Sequence, residues 1–341
     1  MKSIGVLGAG TWGMALAKVL ANAGNHVTVW SAIEKEIDEF SVTRVHPNLP
    51  GMQIPESIVF TKDMKTVCTK QDFLLFAVPS VFVRSTAAKA APYVPDGQII
   101  IDVAKGIEND TLYTMTQIIE DTLQNSTLKL VALSGPTHAE EVALDMPTTI
   151  VSASHDMEAA EKVQDLFVNT CIRAYTNTDV LGVELSGAMK NIIALASGIA
   201  TGLGCGDNTK AAIITRGIAE ISRLGVAMGC SEQTFGGLAG IGDLIVTATS
   251  MHSRNNRCGM LLGKGVPAEE ATKQVGMVVE GINALKAAMQ LQARYGVEMP
   301  IVAAVNDIVY EGAEPAEAVQ KLMNRHKKPE LPHTVWDNQY E

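Results

Sequence analysis

Through the first half of the chain, short apolar runs alternate with longer stretches of helical periodicity. Residues 4–7, 27–30, 73–78, 98–103, 128–133 and 148–153 are mostly apolar and often β-branched, as expected of strands buried on both faces. Between them, residues 12–23 predict a helix closed by Gly24. Residues 112–123 carry apolar side chains at helical spacing, and residues 156–167 open with an acidic first turn, favourable at the positive end of a helix. Such strand–helix alternation builds an α/β fold with a mostly parallel sheet and helices on both faces. From about Asp179 the periodicity is helical: 183–201, 208–228, 268–274, 279–295 and 301–310, with no clear strand. The change falls near residues 176–182 and divides the chain into an α/β domain over 1–178 and an all-helical domain over 179–341. No Ser- or Pro-rich linker marks the join, which predicts a tight one. No fixed-period repeat is present.

The length, 341 residues, agrees with about two domains. With 47% hydrophobic and 19% charged residues the chain can bury sizeable cores. A net charge of −10 argues against a nucleic-acid partner, which needs a basic face; a local basic pocket for a small anion is compatible with it. The five cysteines, 68, 171, 205, 230 and 258, are scattered, with no zinc-type pair, so no metal site is expected. They read as reduced thiols of a cytoplasmic protein. The N-terminus lacks the long apolar region of a signal peptide. The most apolar stretch, 191–206, reads as a buried helix with a glycine-rich end, and no membrane span is expected.

Gly8-Ala9-Gly10-Thr11-Trp12-Gly13 is G-x-G-x-x-G between an apolar strand and a helix. That context points to a dinucleotide. Gly8 permits the tight turn, Gly10 lets backbone approach a pyrophosphate, and Gly13 lets helix and strand pack closely. The helix N-terminus offers free N–H groups and a positive dipole end. A carboxylate at the end of the second strand would favour NAD and a basic residue NADP. The chain reads Trp30-Ser31-Ala32-Ile33-Glu34-Lys35. Glu34 favours NAD, whereas Ser31 or Lys35 would meet a 2′-phosphate, so the strand end leaves both open.

Further motifs follow in order: Val103-Ala104-Lys105-Gly106-Ile107-Glu108, Leu133-Ser134-Gly135-Pro136-Thr137-His138-Ala139-Glu140-Glu141-Val142, Glu184-Leu185-Ser186-Gly187-Ala188-Met189-Lys190-Asn191, Gly240-Ile241-Gly242-Asp243-Leu244 and Ser253-Arg254-Asn255. With the glycine loop, this series resembles the bacterial-type NAD(P)-dependent glycerol-3-phosphate dehydrogenases from residue 2 to about 329. Residues 330–341 look like an extra tail. The resemblance implies a Rossmann-like N-terminal domain, an all-helical C-terminal domain and usually a homodimer. It implies reversible reduction of dihydroxyacetone phosphate to sn-glycerol 3-phosphate, upstream of phospholipids. Many bacterial members carry His or Arg just after the second strand, where this chain has Ala32 and Ile33. NADH is therefore expected to serve at least as well as NADPH.

Reduction of a carbonyl needs a proton donor, an anchor for the phosphate and a dry pocket. Lys190 lies in a run of small and apolar residues, and a partly buried lysine loses its charge more easily; the alternative is a lysine snorkelling at a helix edge. Asp243 would hold that ammonium, or cap the helix that begins at Leu244. Lys105 follows a strand, at the sheet edge where α/β ligands collect, or is an exposed loop lysine. Ser253, Arg254 and Asn255 offer a hydroxyl, a guanidinium fork and an amide for a phosphate, or form a polar helix start. By resemblance, Lys105 and Arg254 also approach the cofactor together with Thr11, Trp12, Ala139, Val278 and Glu280, while Gly135 and Thr137 join Lys105, Lys190 and Asp243 on the substrate side. His138 reads as structural. Two other readings are a two-domain dehydrogenase of another hydroxy acid and a non-catalytic dinucleotide-sensing module.

Overall fold

The computed structural model describes residues 1–327 together with 329 and 330, so only residue 330 of the tail falls within it. Eight strands form one sheet: β1 Ser3–Leu7, β2 His26–Trp30, β3 Val59–Thr61, β4 Phe73–Phe76, β5 Ile99–Asp102, β6 Lys129–Ser134, β7 Thr148–Ala153 and β8 Ile172–Asn177. Their order is β3-β2-β1-β4-β5-β6-β7-β8. Every neighbouring pair is parallel except β6 with β7. The six strands expected from the pattern are present. β3 and β8 are additional, and each is an edge strand.

Helices connect and cover the strands: α1 Thr11–Asn22, α2 Glu34–Thr43, α3 Met64–Cys68, α4 Val83–Ala90, α5 Met115–Leu123, α6 Ala139–Val142 and α7 Met157–Asp165. The strands bury both faces. Ile4, Val6, Phe73, Leu75, Ile99 and Ile101 pack on one side with α1, α6 and α7. Leu7, Leu74, Phe76 and Ile100 pack on the other with α3, α4 and α5. Because side chains alternate along a strand, uninterrupted apolar runs are what a sheet covered on both faces requires. Each fully buried side chain of this size contributes about 1.5–3 kcal/mol.

After β8 the described elements are helical: α8 Val180–Gly202, α9 Asp207–Ala227, α10 Glu232–Phe235, α11 Asp243–Thr249, α12 Arg254–Gly263, α13 Ala268–Val275, α14 Glu280–Tyr295, α15 Pro300–Tyr310 and α16 Pro315–Met323. By length and composition α8 could cross a membrane, but 94% of its apolar window is buried inside the protein, where it is the core of the helical half. It packs against α12 with backbones nearly touching. A Cβ added at Gly198 would lie 2.1 Å from the Asn256 carbonyl oxygen, and one at Gly259 would lie 2.2 Å from that of Leu195. These contacts pack α12, which begins at Arg254, against the C-terminal half of α8, the helix that carries Lys190.

Candidate active site

The strand register brings the ends of β1, β2 and β4 to one edge, with Leu7 opposite both Trp30 and Phe76. The glycine loop rises there, where the strand order turns, the usual crevice for ligands in open α/β sheets. Gly8 has φ +120°, and a Cβ on it would lie 2.6 Å from the Ala77 carbonyl oxygen. A Cβ on Gly13 would lie 2.4 Å from the Gly8 carbonyl oxygen. Gly10 differs: it is exposed and a Cβ there meets nothing within 4 Å. Two of the three glycines are thus demanded by the fold, and the third leaves space for a ligand. No side chain caps α1, so its first N–H groups, from Thr11 onward, stand open to an anion. Trp12 is half-buried beside them. The loop fits a dinucleotide pyrophosphate.

Lys105, Lys190 and Asp243 come from three distant parts of the chain and meet. The carboxylate of Asp243 is fully buried and bridges both lysines: Oδ1 accepts from Lys190 Nζ, and Oδ2 from Lys105 Nζ at 2.5 Å. Lys105 also donates to the Gly135 carbonyl at 3.3 Å. Thr247, one turn along α11, accepts from Lys190 Nζ and donates to the Asp243 carbonyl, both at 2.7 Å. Burial pulls the Lys190 pKa down to about 7, against the opposing charge of Asp243 and with the help of the Lys105 charge. The ammonium is therefore partly deprotonated near neutral pH. Two lysines against one carboxylate leave the pocket with excess positive charge, the complement of a phosphorylated substrate. Asp243 serves as first residue of α11 and as bridge at once.

Gly135 and Thr137 lie beside this cluster, with Thr137 Oγ1 donating to the Gly135 carbonyl at 3.1 Å. Ala139 is buried at the start of α6. His138 is half-buried with Nε2 3.2 Å from the Val246 carbonyl, and burial lowers its pKa. Ser253 caps α12, its Oγ accepting from Asn256 N at 3.2 Å. Asn255 is buried and ties helices together: its Nδ2 donates to Asn191 Oδ1 at 3.0 Å and its Oδ1 accepts from Gly281 N at 2.8 Å. Arg254, half-buried between them, makes no hydrogen bond or ion pair among the described residues. Burial lowers its pKa, opposed by Glu280 and Glu140, yet arginine keeps its charge. Val278 is half-buried. Glu280 reaches across to the other half of the molecule and accepts from Ser80 Oγ at 2.5 Å and Ser80 N at 3.1 Å. The motifs contain Asn191 without giving it a role, and they do not include Thr247 or Ser80. Thr247 could have been found from its i+4 spacing to Asp243.

A glycine loop at the turning point of a parallel sheet, together with a buried lysine cluster that joins the sheet half to the helical half, defines a dinucleotide-dependent dehydrogenase. Family models described as NAD-dependent glycerol-3-phosphate dehydrogenase N-terminus and C-terminus match residues 3–160 and 179–320. Glycerol-3-phosphate dehydrogenase [NAD(P)+] 2 of Lactobacillus delbrueckii subsp. bulgaricus is 62% identical over 335 residues, covering 97% of this chain and 99% of the relative. The enzyme of Bacillus subtilis is 48% identical, covering 98% of each. The crystal structure of glycerol-3-phosphate dehydrogenase from Coxiella burnetii aligns with TM-score 0.91 at 35% identity, covering 95% of this chain and 99% of that one. The chain belongs to the NAD-dependent glycerol-3-phosphate dehydrogenase family and is an NAD(P)-dependent oxidoreductase.

Proposed function

We propose that this chain interconverts dihydroxyacetone phosphate and sn-glycerol 3-phosphate, with Lys190 exchanging the proton of the C2 oxygen. The observation that carries this reading is the buried bridge of Asp243 to two lysines, with Lys190 poised at about 7. The bound dinucleotide supplies or accepts the hydride. During reduction the Lys190 ammonium donates its proton to the carbonyl oxygen as negative charge develops there; during oxidation the neutral amine takes that proton back. A pKa near the working pH lets one group serve both directions. Asp243 fixes Lys190 and keeps it from losing its charge altogether, and Thr247 completes the geometry. Lys105 adds positive charge beside the reacting oxygen, and Gly135 and Thr137 line the same side. Arg254, with no hydrogen bond or ion pair among the described residues, is the anchor for the phosphate, and as a planar fork it suits two phosphate oxygens. Ser253 and Asn255 border the substrate as they build the start of α12. The open N-terminus of α1, with Thr11 and Trp12, receives the pyrophosphate, while Lys105, Ala139, Val278 and Glu280 border the cofactor.

We further propose that NADH serves at least as well as NADPH, that the protein works in the cytoplasm as a dimer, and that its product feeds glycerophospholipid synthesis. Oxidation of NADH and NADPH is followed with dihydroxyacetone phosphate in the full-length protein. Turnover with this substrate is expected. No turnover with either cofactor would overturn the reading, and faster turnover with an unphosphorylated hydroxy acid would favour another dehydrogenase.

A further inference from the structure

The end of β2 and the glycine loop form one unit, because Gly8 N donates to the Trp30 carbonyl at 2.8 Å. The next residue, Ser31, is 6% exposed. Its Oγ accepts from Ile33 N at 3.1 Å and donates to Oε2 of Glu36 at 2.7 Å. Glu36 thus turns back from the first turn of α2 onto the strand end. Its other oxygen, Oε1, takes no hydrogen bond among the described residues. The segment after α2 also reaches the glycine loop. His46 is buried, with Nε2 3.3 Å from the carbonyl of Ala9, inside the glycine loop. Burial holds the His46 pKa below its ordinary value, while the Ala9 contact and then the charge of Glu36 oppose that shift. Glu36 is therefore held at the end of β2, beside the residue that Gly8 N ties to the phosphate loop. The adenosine ribose of a dinucleotide passes through this place.

Glu34, the carboxylate that the sequence pattern favours, is placed differently. Its side chain is 72% exposed and lies 3.5 Å from Lys62 Nζ, which Asp38 also holds at 2.8 Å. Its charge is thus offset by Lys62, whereas Glu36 has no ion pair among the described residues.

We propose that Glu36, held by Ser31, is the residue that chooses the dinucleotide: its free oxygen accepts from the 2′-hydroxyl of NADH and its charge repels the 2′-phosphate of NADPH. The proposal rests on the cofactor reading above and names the residue behind it. Full-length protein is titrated with NADH and with NADPH in the absence of substrate, and the dissociation constants are read from nicotinamide fluorescence. In the wild type NADH binds at least as tightly as NADPH. Glu36→Gln keeps the shape and removes the charge, and should shift the ratio of the two constants toward NADPH by about tenfold, the effect of one charged contact. Glu34→Gln should leave the ratio within about twofold of wild type, because an exposed, paired charge is screened. Persistent NADH binding shows that each variant is folded. A wild type that binds NADPH more than about tenfold tighter overturns the cofactor reading and the proposal with it. A wild type that favours NADH, with a ratio unmoved by Glu36→Gln or moved equally by Glu34→Gln, overturns the role of Glu36 alone.

Discussion

Six consecutive residues, Gly8 to Gly13, build the dinucleotide loop, whereas the lysine cluster draws Lys105, Lys190 and Asp243 from a loop after β5, from α8 and from the start of α11. Both present positive charge to an anion. The loop does so with peptide N–H groups and a helix dipole, which do not titrate. The cluster does so with side chains whose protonation depends on burial, and Lys190 sits at about 7 only because the folded protein removes it from water. A site made of backbone is local, independent of pH and demanding of glycine. A site made of buried charges exists only after α8, α11 and the β5 loop have packed together, and its chemistry follows from that packing. The two regions should therefore fail in different ways when altered.

The largest expected effect separates them most sharply. Lys190→Ala should lower kcat by about 100-fold or more, the scale of a lost general acid, and leave the dissociation constant for NADH nearly unchanged. Retention of more than about a tenth of wild-type turnover would contradict the role of Lys190. The pH profile carries the same distinction. Because burial brings the Lys190 pKa down to about 7, reduction should fall as pH rises through that value and oxidation should fall as pH drops through it. Asp243→Asn removes the charge that opposes deprotonation, so the limb for reduction should move to lower pH. NADH binding, whose pyrophosphate is held by backbone groups, should show no matching limb.

Arg254→Lys tests the anchor that belongs to the cluster side. The charge stays but the bidentate fork is lost. The loss of about 1.5–3 kcal/mol expected for a charge-assisted bond should raise KM for dihydroxyacetone phosphate about 10- to 100-fold. An unchanged KM would move the phosphate elsewhere. Gly13→Ala tests the other region. Its Cβ would lie 2.4 Å from the Gly8 carbonyl oxygen, so the loop must shift, at the roughly 1–3 kcal/mol typical of overpacking. NADH binding should weaken and the pH limb attributed to Lys190 should stay in place. A moved limb with intact NADH binding would show that the two regions are coupled.

The unequal legibility of the two regions follows from the same contrast. The glycine loop, six strands and the long helices α1, α8, α9 and α14 could be read from period and spacing. Three-residue β3 is too short to carry a period. β8 alternates buried Ile172 and Ala174 with exposed Arg173 and Tyr175, a signal that a search for continuous apolar runs passes over. Helices α2, α4 and α12 are polar on much of their surface, and α12 is set against α8 by glycine contacts rather than by an apolar stripe. The meeting of Lys190 and Asp243 is legible only through a family motif, since spacing in the chain does not show that residues 190 and 243 share a hydrogen bond. The pattern makes Arg254 one of three candidate phosphate ligands in a row. Folding ties the side chains of Ser253 and Asn255 into the protein and leaves the guanidinium of Arg254 without a hydrogen bond or ion pair among the described residues.

The smallest expected effect concerns the end of β2, where the two modes of binding meet: a charged side chain beside a backbone site. Ile33 is 58% exposed and precedes the first turn of α2, so replacing it removes little buried surface. Ile33→Arg would place a guanidinium next to the path of the ribose. It should improve kcat/KM for NADPH relative to NADH by about 1–2 kcal/mol, the value of one charge-assisted hydrogen bond, or roughly 5- to 30-fold. The gain should sit at the lower end, because Glu36 lies close enough to pair with the new arginine and solvent screens both charges. Added to Glu36→Gln, the same substitution should give a larger shift than either change alone. Turnover at saturating substrate and the pH limb of Lys190 should not move, since neither depends on the strand end. A ratio that changes less than about twofold in the double variant would mean that the 2′-phosphate lies away from residues 31–36, and that cofactor choice in this chain is made by the pocket rather than by the strand.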